Sequence, residues 1–416
     1  MIMVQYDIVI VGGGPAGMAA AVAAYDAGCR DVVILDREVQ AGGILMQCIH
    51  NGFGLHKLGK ELTGPEYAAV YEEKVRSRNI RVYLETTVTS VSPDKIVTAQ
   101  NRHGILKIQA KAVILAMGCR ERSRGALNIC GSRPSGVYSA GTAQKLVNCM
   151  GYQVGKRVVI LGSGDIGLIM ARRMSYEGAK VEAVCEVMPY SGGLTRNIVQ
   201  CLEDFDIPLY LSTTVIQIHG KERLEGVTIA QVDEKRHPIE DTKRYIPCDT
   251  LLLSVGLIPE NELTRSAGIP IDPVTNGALV DENCQTKVPG IFACGNVLQV
   301  HDLVDYVSEE AERAGVGAVK YINGLKTSNT CIETKAGFGV RYVLPQTITS
   351  KDEDVALFLR VTQPFGKVKF SVTEGNKVLA TTKKLKAAPG EMEKITVKAS
   401  ALQSVTGPIT VDLEVL

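Results

Sequence analysis

A strand, a glycine-rich loop and a helix are written twice in this chain, over residues 7–24 and again over 157–174. The first copy reads VIVGGGPAGMAAAVAA, with Gly12, Gly14 and Gly17 at GxGxxG spacing; the second reads VVILGSGDIGLIMARRM, with Gly162, Gly164 and Gly167. The first glycine permits a tight turn, the second lets phosphates approach the backbone, and the third lets helix and strand pack closely. Unpaired N–H groups at the helix start then favour an anion. An acid closes the following strand in both copies, Asp36 lying 24 residues after Gly12 and Glu186 24 after Gly162. A carboxylate in that place accepts hydrogen bonds from a ribose. Two complete fingerprints imply two dinucleotides.

The rest of the sequence fits that frame. Short β-branched runs at 7–11, 32–35, 112–116, 157–161, 181–185, 250–254 and 291–293 alternate with helical patterns, as in βαβ units around a parallel sheet. The stretch 86–111 alternates apolar and polar residues and reads as a small antiparallel insert. After about residue 330 only period-2 alternation remains, at 355–361, 368–372, 395–397 and 409–415, which predicts a small β-sandwich. The expected fold class is α/β: two Rossmann-like three-layer domains, the second inserted in the first, plus a C-terminal all-β domain. The boundaries that follow are 1–122 with 258–328 for the first domain, 123–257 for the second and 329–416 for the tail.

Composition narrows the function class. The 46 Lys and Arg nearly balance 45 Asp and Glu, so no field for nucleic acid or a membrane surface is expected. Trp is absent and aromatics are 5% of the chain, which argues against a carbohydrate cleft or a base-stacking surface. No apolar run reaches the roughly 18 residues of a spanning helix. The start, MIMVQYDIVIVGGG, lacks a basic flank and a cleavage site, so it reads as a strand rather than a leader. Eleven cysteines without any CxxC suit a reducing cytoplasm, and the scattered histidines have no metal-ligand spacing.

These motifs resemble the two-dinucleotide-binding flavoproteins often called the pyridine nucleotide–disulfide oxidoreductase family. VILAMG, with Met117 where Thr is usual, resembles the family's "ATG" strand; TLLLSVGLIPENEL resembles the end of its nicotinamide domain; GIFACGNVLQ resembles its late flavin motif, with Asn296 in place of Asp. The resemblance covers about residues 4–325. It implies FAD on the first copy, held by Gly12, Gly14, Pro15, Ala16, Gly17, Asp36, Arg37 and Gly43. Val88, Ala116, Gly118, Gly295 and Asn296 complete that site. It implies a nicotinamide nucleotide on Gly162, Gly164, Asp165, Ile166, Gly167, Glu186 and Gly256. Glu186 would repel a 2′-phosphate, and Val187, Met188, Pro189 and Tyr190 bring no cation to hold one. NAD(H) is therefore expected over NADP(H), with Arg196 the cation that could fold back.

The cysteines decide against disulfide reduction. Where disulfide reductases of the family carry CxxxxC, this chain has AGGILMQCIH, with Cys48 alone. A thiol without a neighbouring partner thiol does not resolve a mixed disulfide. Other stretches, among them GGILMQCIHNGFGL and CGNVLQVHDLVD, resemble the small flavoprotein subunits of opine, amine and glycerol-3-phosphate dehydrogenase complexes. That resemblance implies a partner flavoprotein dehydrogenase subunit, in one branch with a small cysteine-rich redox protein, and an oligomer or hetero-complex. The expected function is hydride transfer between nicotinamide and FAD as an electron-transfer subunit, with docking a role for the β tail.

Two side chains invite sharper roles. Cys48 is either a redox thiol cycling through sulfenic acid or a small residue packed near the flavin. His301 is either a proton-transfer group or a capping residue before a helix expected over 303–313. The competing functions are a self-contained NADH oxidase or peroxidase using Cys48, and a flavin-binding scaffold without turnover.

Overall fold

In a computed structural model that describes residues 3–324 and 331–416, both copies form. β1 (Met3–Val11), α1 (Pro15–Asp26) and β2 (Val32–Leu35) build the first; β3 (Arg157–Leu161), α2 (Asp165–Tyr176) and β4 (Lys180–Cys185) build the second. The chain divides into two compact units. One comprises the residues up to 46, 51–119 and those from 259 onward, and the other 47–50 with 120–258. The expected boundary at 328/329 lies outside the described residues.

In the first unit a seven-stranded sheet runs Arg81–Tyr83, β2, β1, Gly104–Leu115, Ile96–Asn101, Thr87–Val91, with Ile291–Ala293 pairing to the end of Gly104–Leu115. Strand alternation sorts side chains into two cores. Ile8 and Ile10 pack with α1 and with α3 (Val304–Ile322), while Val9 and Val11 pack with Ile269, Val280 and Leu344 on the other face. The stretch 86–111 is not a separate insert. Gly104–Leu115 is one strand that pairs antiparallel with Ile96–Asn101 and parallel with β1, so the hairpin is continuous with the main sheet.

Helix α3 also runs nine residues beyond its expected end. Its Gly315 meets α1 so closely that a Cβ would stand 2.3 Å from Ala20 O, which identifies the glycine as a packing position rather than a helix stop.

The tail forms the expected sandwich. One sheet orders Thr347–Ile348, Ile332–Ala336, Ile409–Val415, Val368–Glu374, Lys377–Lys384; the other orders Val340–Leu344, β5 (Val355–Val361), Glu393–Val397. Leu357, Leu359, Phe370 and Val411 are buried between them. The tail belongs to the first unit, where Glu282 accepts the N–H groups of Thr349 at 2.8 Å and Ser350 at 2.9 Å, and Lys320 pairs with Glu353 at 2.7 Å.

Asp281, next to that clamp, is buried and takes the N–H groups of Asn283 and Gln285 on one oxygen. Burial, then the charge of Glu282, pushes its carboxyl up to about 7. An unfolded Asp titrates near ~3.9. The folded chain thus binds more protons between about 4 and 7, and stability falls as pH rises through that window. Asp281→Asn keeps the accepting oxygen and removes the charge. Denaturant unfolding should find it more stable than wild type at pH 8, by on the order of 3 kcal/mol. The two proteins should converge toward pH 4, and identical pH profiles would overturn the assignment.

The second unit has a five-stranded parallel sheet ordered Val137–Ser139, Thr250–Leu253, β3, β4, Leu209–Tyr210. Val158 and Ile160 face α2 and Ala140–Asn148, whereas Val159 and Leu161 face a second sheet formed by Cys130–Gly131, Thr213–His219, Gly226–Gln231 and Arg244–Pro247. Three layers result: helices, a parallel sheet, and a mixed sheet that is antiparallel except where Cys130–Gly131 pairs parallel with Thr213–His219.

Candidate functional site

The six fingerprint glycines do different work. A Cβ on Gly12 would lie 2.4 Å from Ala116 O, and one on Gly17 only 1.8 Å from Gly12 O. On Gly162 it would lie 2.0 Å from Ser254 O, and on Gly167 2.5 Å from Gly162 O. These four are required by the chain's own backbone. Gly14 and Gly164 are not. A Cβ there would meet nothing nearer than Gly43 Cα at 3.9 Å and Ser254 Oγ at 4.0 Å, respectively. Both have ordinary extended backbone, with φ −74° and −68°, and both cap the N-terminus of a helix without a side-chain cap. Open space, unpaired N–H groups and a helix dipole converge at these two points, and a pyrophosphate fits them. The residues present therefore suit two dinucleotides, FAD and a pyridine nucleotide.

The acids repeat one geometry. Asp36 Oδ2 accepts the Gly13 N–H at 2.5 Å and Oδ1 the Glu38 N–H at 2.8 Å. Glu186 Oε2 accepts the Ser163 N–H at 2.9 Å and its hydroxyl at 2.7 Å, while Oε1 accepts the Met188 N–H at 3.0 Å. Backbone donors orient each carboxylate and leave lone pairs for a ribose. A Cβ on residue 13 would crowd the Asp36 side chain, 2.9 Å from its Oδ2, whereas the matching position beside the longer Glu186 carries Ser163. Sequence reasoning passed over Ser163, whose only signal was its place in the repeat.

A third cluster organises the loop that follows Ile291–Ala293. Glu310, on α3, is fully buried and accepts the Gly295 N–H at 2.7 Å and Gln299 Nε2 at 2.7 Å. His301 Nε2 lies 3.1 Å from Glu310 Oε1, and both side chains have no exposed surface. Burial raises the Glu310 carboxyl, but His301, Arg313 and the donated hydrogen bonds outweigh it and hold the group below its ordinary value. The His301 N–H donates to Asn296 Oδ1 at 3.0 Å, and Asn296 Nδ2 lies 3.6 Å from Cys119 Sγ. Asn296 and His301 are thus brought together, with Glu310 as the anchor that the sequence reading missed.

The remaining expected residues fall as follows. Pro15 occupies the first turn of α1, Ala16 is buried, and Gly295, at φ +73°, would place a Cβ 2.7 Å from Ala16 Cβ. Gly43, at φ +55°, packs on Gly14, and Gly118 and Gly256, at φ +72° and +98°, face open space. Arg37 is exposed beside Glu38. Val88 lies on Thr87–Val91 and packs against the second core. Asp165 Oδ1 accepts the Leu194 N–H at 2.8 Å and Asn197 Nδ2 at 2.6 Å, tying the start of α2 to the next loop, while Ile166 packs on the helical core.

Cys48 belongs to the second unit. Gln47 donates to Gly141 O at 3.0 Å and to Gln144 Oε1 at 2.9 Å, and Cys48 Sγ lies 3.9 Å from that same oxygen. Burial, with Cys149 nearby, pushes the Cys48 thiol up to about 12. The thiolate is the nucleophile, so this environment disfavours peroxide or disulfide chemistry at neutral pH. His50 goes the other way: burial, then the Arg172 and Arg196 charges, bring it down to about 4.

The pattern of the pyridine nucleotide-disulphide oxidoreductase family matches residues 6–311. The chain is 26% identical over 357 residues to the mitochondrial dihydrolipoyl dehydrogenase of Caenorhabditis elegans, covering 76% of this chain and 68% of that protein. It is 24% identical over 367 residues to an opine oxidase subunit of Agrobacterium tumefaciens, covering 81% and 70%. The crystal structure of T. acidophilum thioredoxin reductase superposes with a TM-score of 0.64 at 26% identity, covering 77% of this chain and 99% of that one. With that pattern spanning well over half of its length, the chain belongs to the pyridine nucleotide-disulphide oxidoreductase family and is an FAD-dependent NAD(P)H oxidoreductase.

Proposed function

We propose that this flavoprotein exchanges hydride with NAD(H) in preference to NADP(H) and serves as the electron-transfer subunit of a dehydrogenase complex in the cytoplasm. The observation that carries the reading is the second fingerprint's repetition of the first, ending on Glu186 where a 2′-phosphate would meet a buried carboxylate. The flavin supplies hydride chemistry between nicotinamide C4 and its own N5 when both are bound. The protein binds and aligns. Gly14 and Gly164 leave room for the pyrophosphates, Asp36 and Glu186 hold the riboses, and Asn296 stands ready to hydrogen-bond the ribityl chain. His301 acts as a loop clamp, since its Nε2 is committed to Glu310.

Kinship with the Agrobacterium opine oxidase protein supports a partner flavoprotein in the complex, with a glycerol-3-phosphate-linked assembly as a specific form of the reading. The domain boundaries given above, including a tail beginning near 329, are part of it. Anaerobic titration of the yellow protein tests the proposal. NADH should bleach the oxidised flavin band at far lower concentration than NADPH, and Cys48→Ser should bleach as readily as wild type. No bleaching by either nucleotide would leave a flavin-binding scaffold. Peroxide turnover that vanishes in Cys48→Ser would make the chain a peroxidase.

A further inference from the structure

Building on that flavoprotein reading, we propose that the C-terminal β tail serves the flavin site through Arg360, a positioning residue that fixes the 295–302 loop. Arg360 projects from β5 with its side chain 13% exposed. Nη2 donates to Val300 O at 3.0 Å and to Asp302 Oδ1 at 3.4 Å, while Nη1 donates to Pro389 O at 2.9 Å within the tail. The other Asp302 oxygen accepts the Met392 N–H at 3.4 Å, again from the tail. The loop is therefore gripped twice. Glu310 and His301 hold its beginning through Gly295 and Asn296, and Arg360 holds its end.

Between the grips Val297 and Leu298 are buried and Asn261 Nδ2 donates to Val297 O at 2.8 Å, while regular structure is confined to one short turn at Gly295–Val297, so the end at 300–302 depends on Arg360. Helix α3 starts at Val304 with no side-chain cap from Leu303, its first turn tied down through Asp305, which accepts the Lys57 N–H at 2.9 Å, and the segment that Arg360 holds at Asp302 leads directly into that N-terminus. Asn296, the ribityl partner in the reading above, and the N-terminal dipole of α3 are both placed by this loop. An arginine suits the task because its planar fork serves a loop carbonyl, a loop carboxylate and a tail carbonyl at once, where lysine has a single point of charge. Removing it leaves Asp302, 8% exposed, without its cation, a loss that a half-buried site does not absorb cheaply. The tail is thereby a working part of the flavin site and not only a docking module.

The test uses the full chain, stripped of flavin and titrated with FAD. Wild type should bind, Arg360→Ala should bind about tenfold or more weakly, and the midpoint potential of its bound flavin should shift. Low concentrations of guanidinium chloride should restore the affinity of Arg360→Ala, while sodium chloride or urea at equal concentration should not. General destabilisation would be deepened by guanidinium, so rescue separates positioning from mere loss of fold. Lys320→Ala cuts the tail's contact with Glu353 near the other end of α3 and should bind FAD as wild type does. Should Arg360→Ala not fold, Arg360→Lys carries the same titration, with a smaller loss expected.

Affinity within about twofold of wild type in both Arg360 variants, or a loss that guanidinium does not relieve, would overturn the proposal. A wild-type chain that takes up no FAD would sink the flavoprotein reading first and this inference with it.

Discussion

Gly14→Ala should yield a folded protein that has lost its flavin, and Gly17→Ala a protein that barely folds. The two glycines stand three residues apart in one motif, yet their surroundings differ. A Cβ on Gly17 would lie 1.8 Å from Gly12 O and 2.9 Å from Gly12 C, and backbone on both sides has nowhere to go. Overpacking of that kind costs about 3 kcal/mol or more. At Gly14 the backbone is extended, alanine adopts it without strain, and the nearest atom stands 3.9 Å away. The new methyl would fill the space into which a pyrophosphate must come. An affinity loss of about 100-fold, or ~2.7 kcal/mol, is expected, with the denaturation midpoint nearly unchanged. Gly164→Ala and Gly167→Ala should divide the same way for the nicotinamide nucleotide. FAD titration beside urea unfolding reads both quantities, and undiminished FAD binding by Gly14→Ala would mean that the open space belongs to no pyrophosphate.

What could be read from the sequence was what is local. The glycine loops and the acids that follow them act over spans of about 24 residues, and their spacing alone carries the chemistry. Glu310 and Arg360 were not legible for the opposite reason. Each is a charged residue in a helical or alternating pattern, indistinguishable from a solvated face until the loop at 295–302 folds against it. The strand Gly104–Leu115 reads as two pieces because its pattern changes midway. Its first part alternates, with one face covered, while its last four residues are all buried as the sheet becomes central. Helix α3 reads short because Gly315 and Gly317 look like breakers, whereas they sit where Ala20 O and Asn283 O leave no room for a side chain. In the tail, Ile332–Ala336 reads IETKA, with too little apolar alternation to announce a strand; pairing with Ile409–Val415 makes it one.

Glu186→Gln should collapse the discrimination between NADH and NADPH. The wild-type carboxylate is 9% exposed and oriented by three donors, the Ser163 N–H, the Ser163 hydroxyl and the Met188 N–H. It cannot swing away from a ligand without abandoning them. A 2′-phosphate brings about −1.5 to −2 charges, and two unit charges ~4 Å apart repel by about 4 kcal/mol at an effective dielectric of ~20. A preference for NADH on the order of 100-fold is a conservative expectation once screening by water is allowed for. Glutamine keeps an accepting oxygen for Ser163 and removes the charge. NADH should then bind about tenfold more weakly, because a charge-assisted hydrogen bond to the ribose is lost. NADPH should bind more tightly than it does to wild type, leaving the two within about tenfold of one another. Paired anaerobic titrations of both proteins give these four affinities. If wild type already accepts NADPH, Arg196 is the first cation that follows this acid in the sequence; Arg196→Ala should then abolish NADPH binding and spare NADH, and the specificity would lie in the arginine rather than in Glu186.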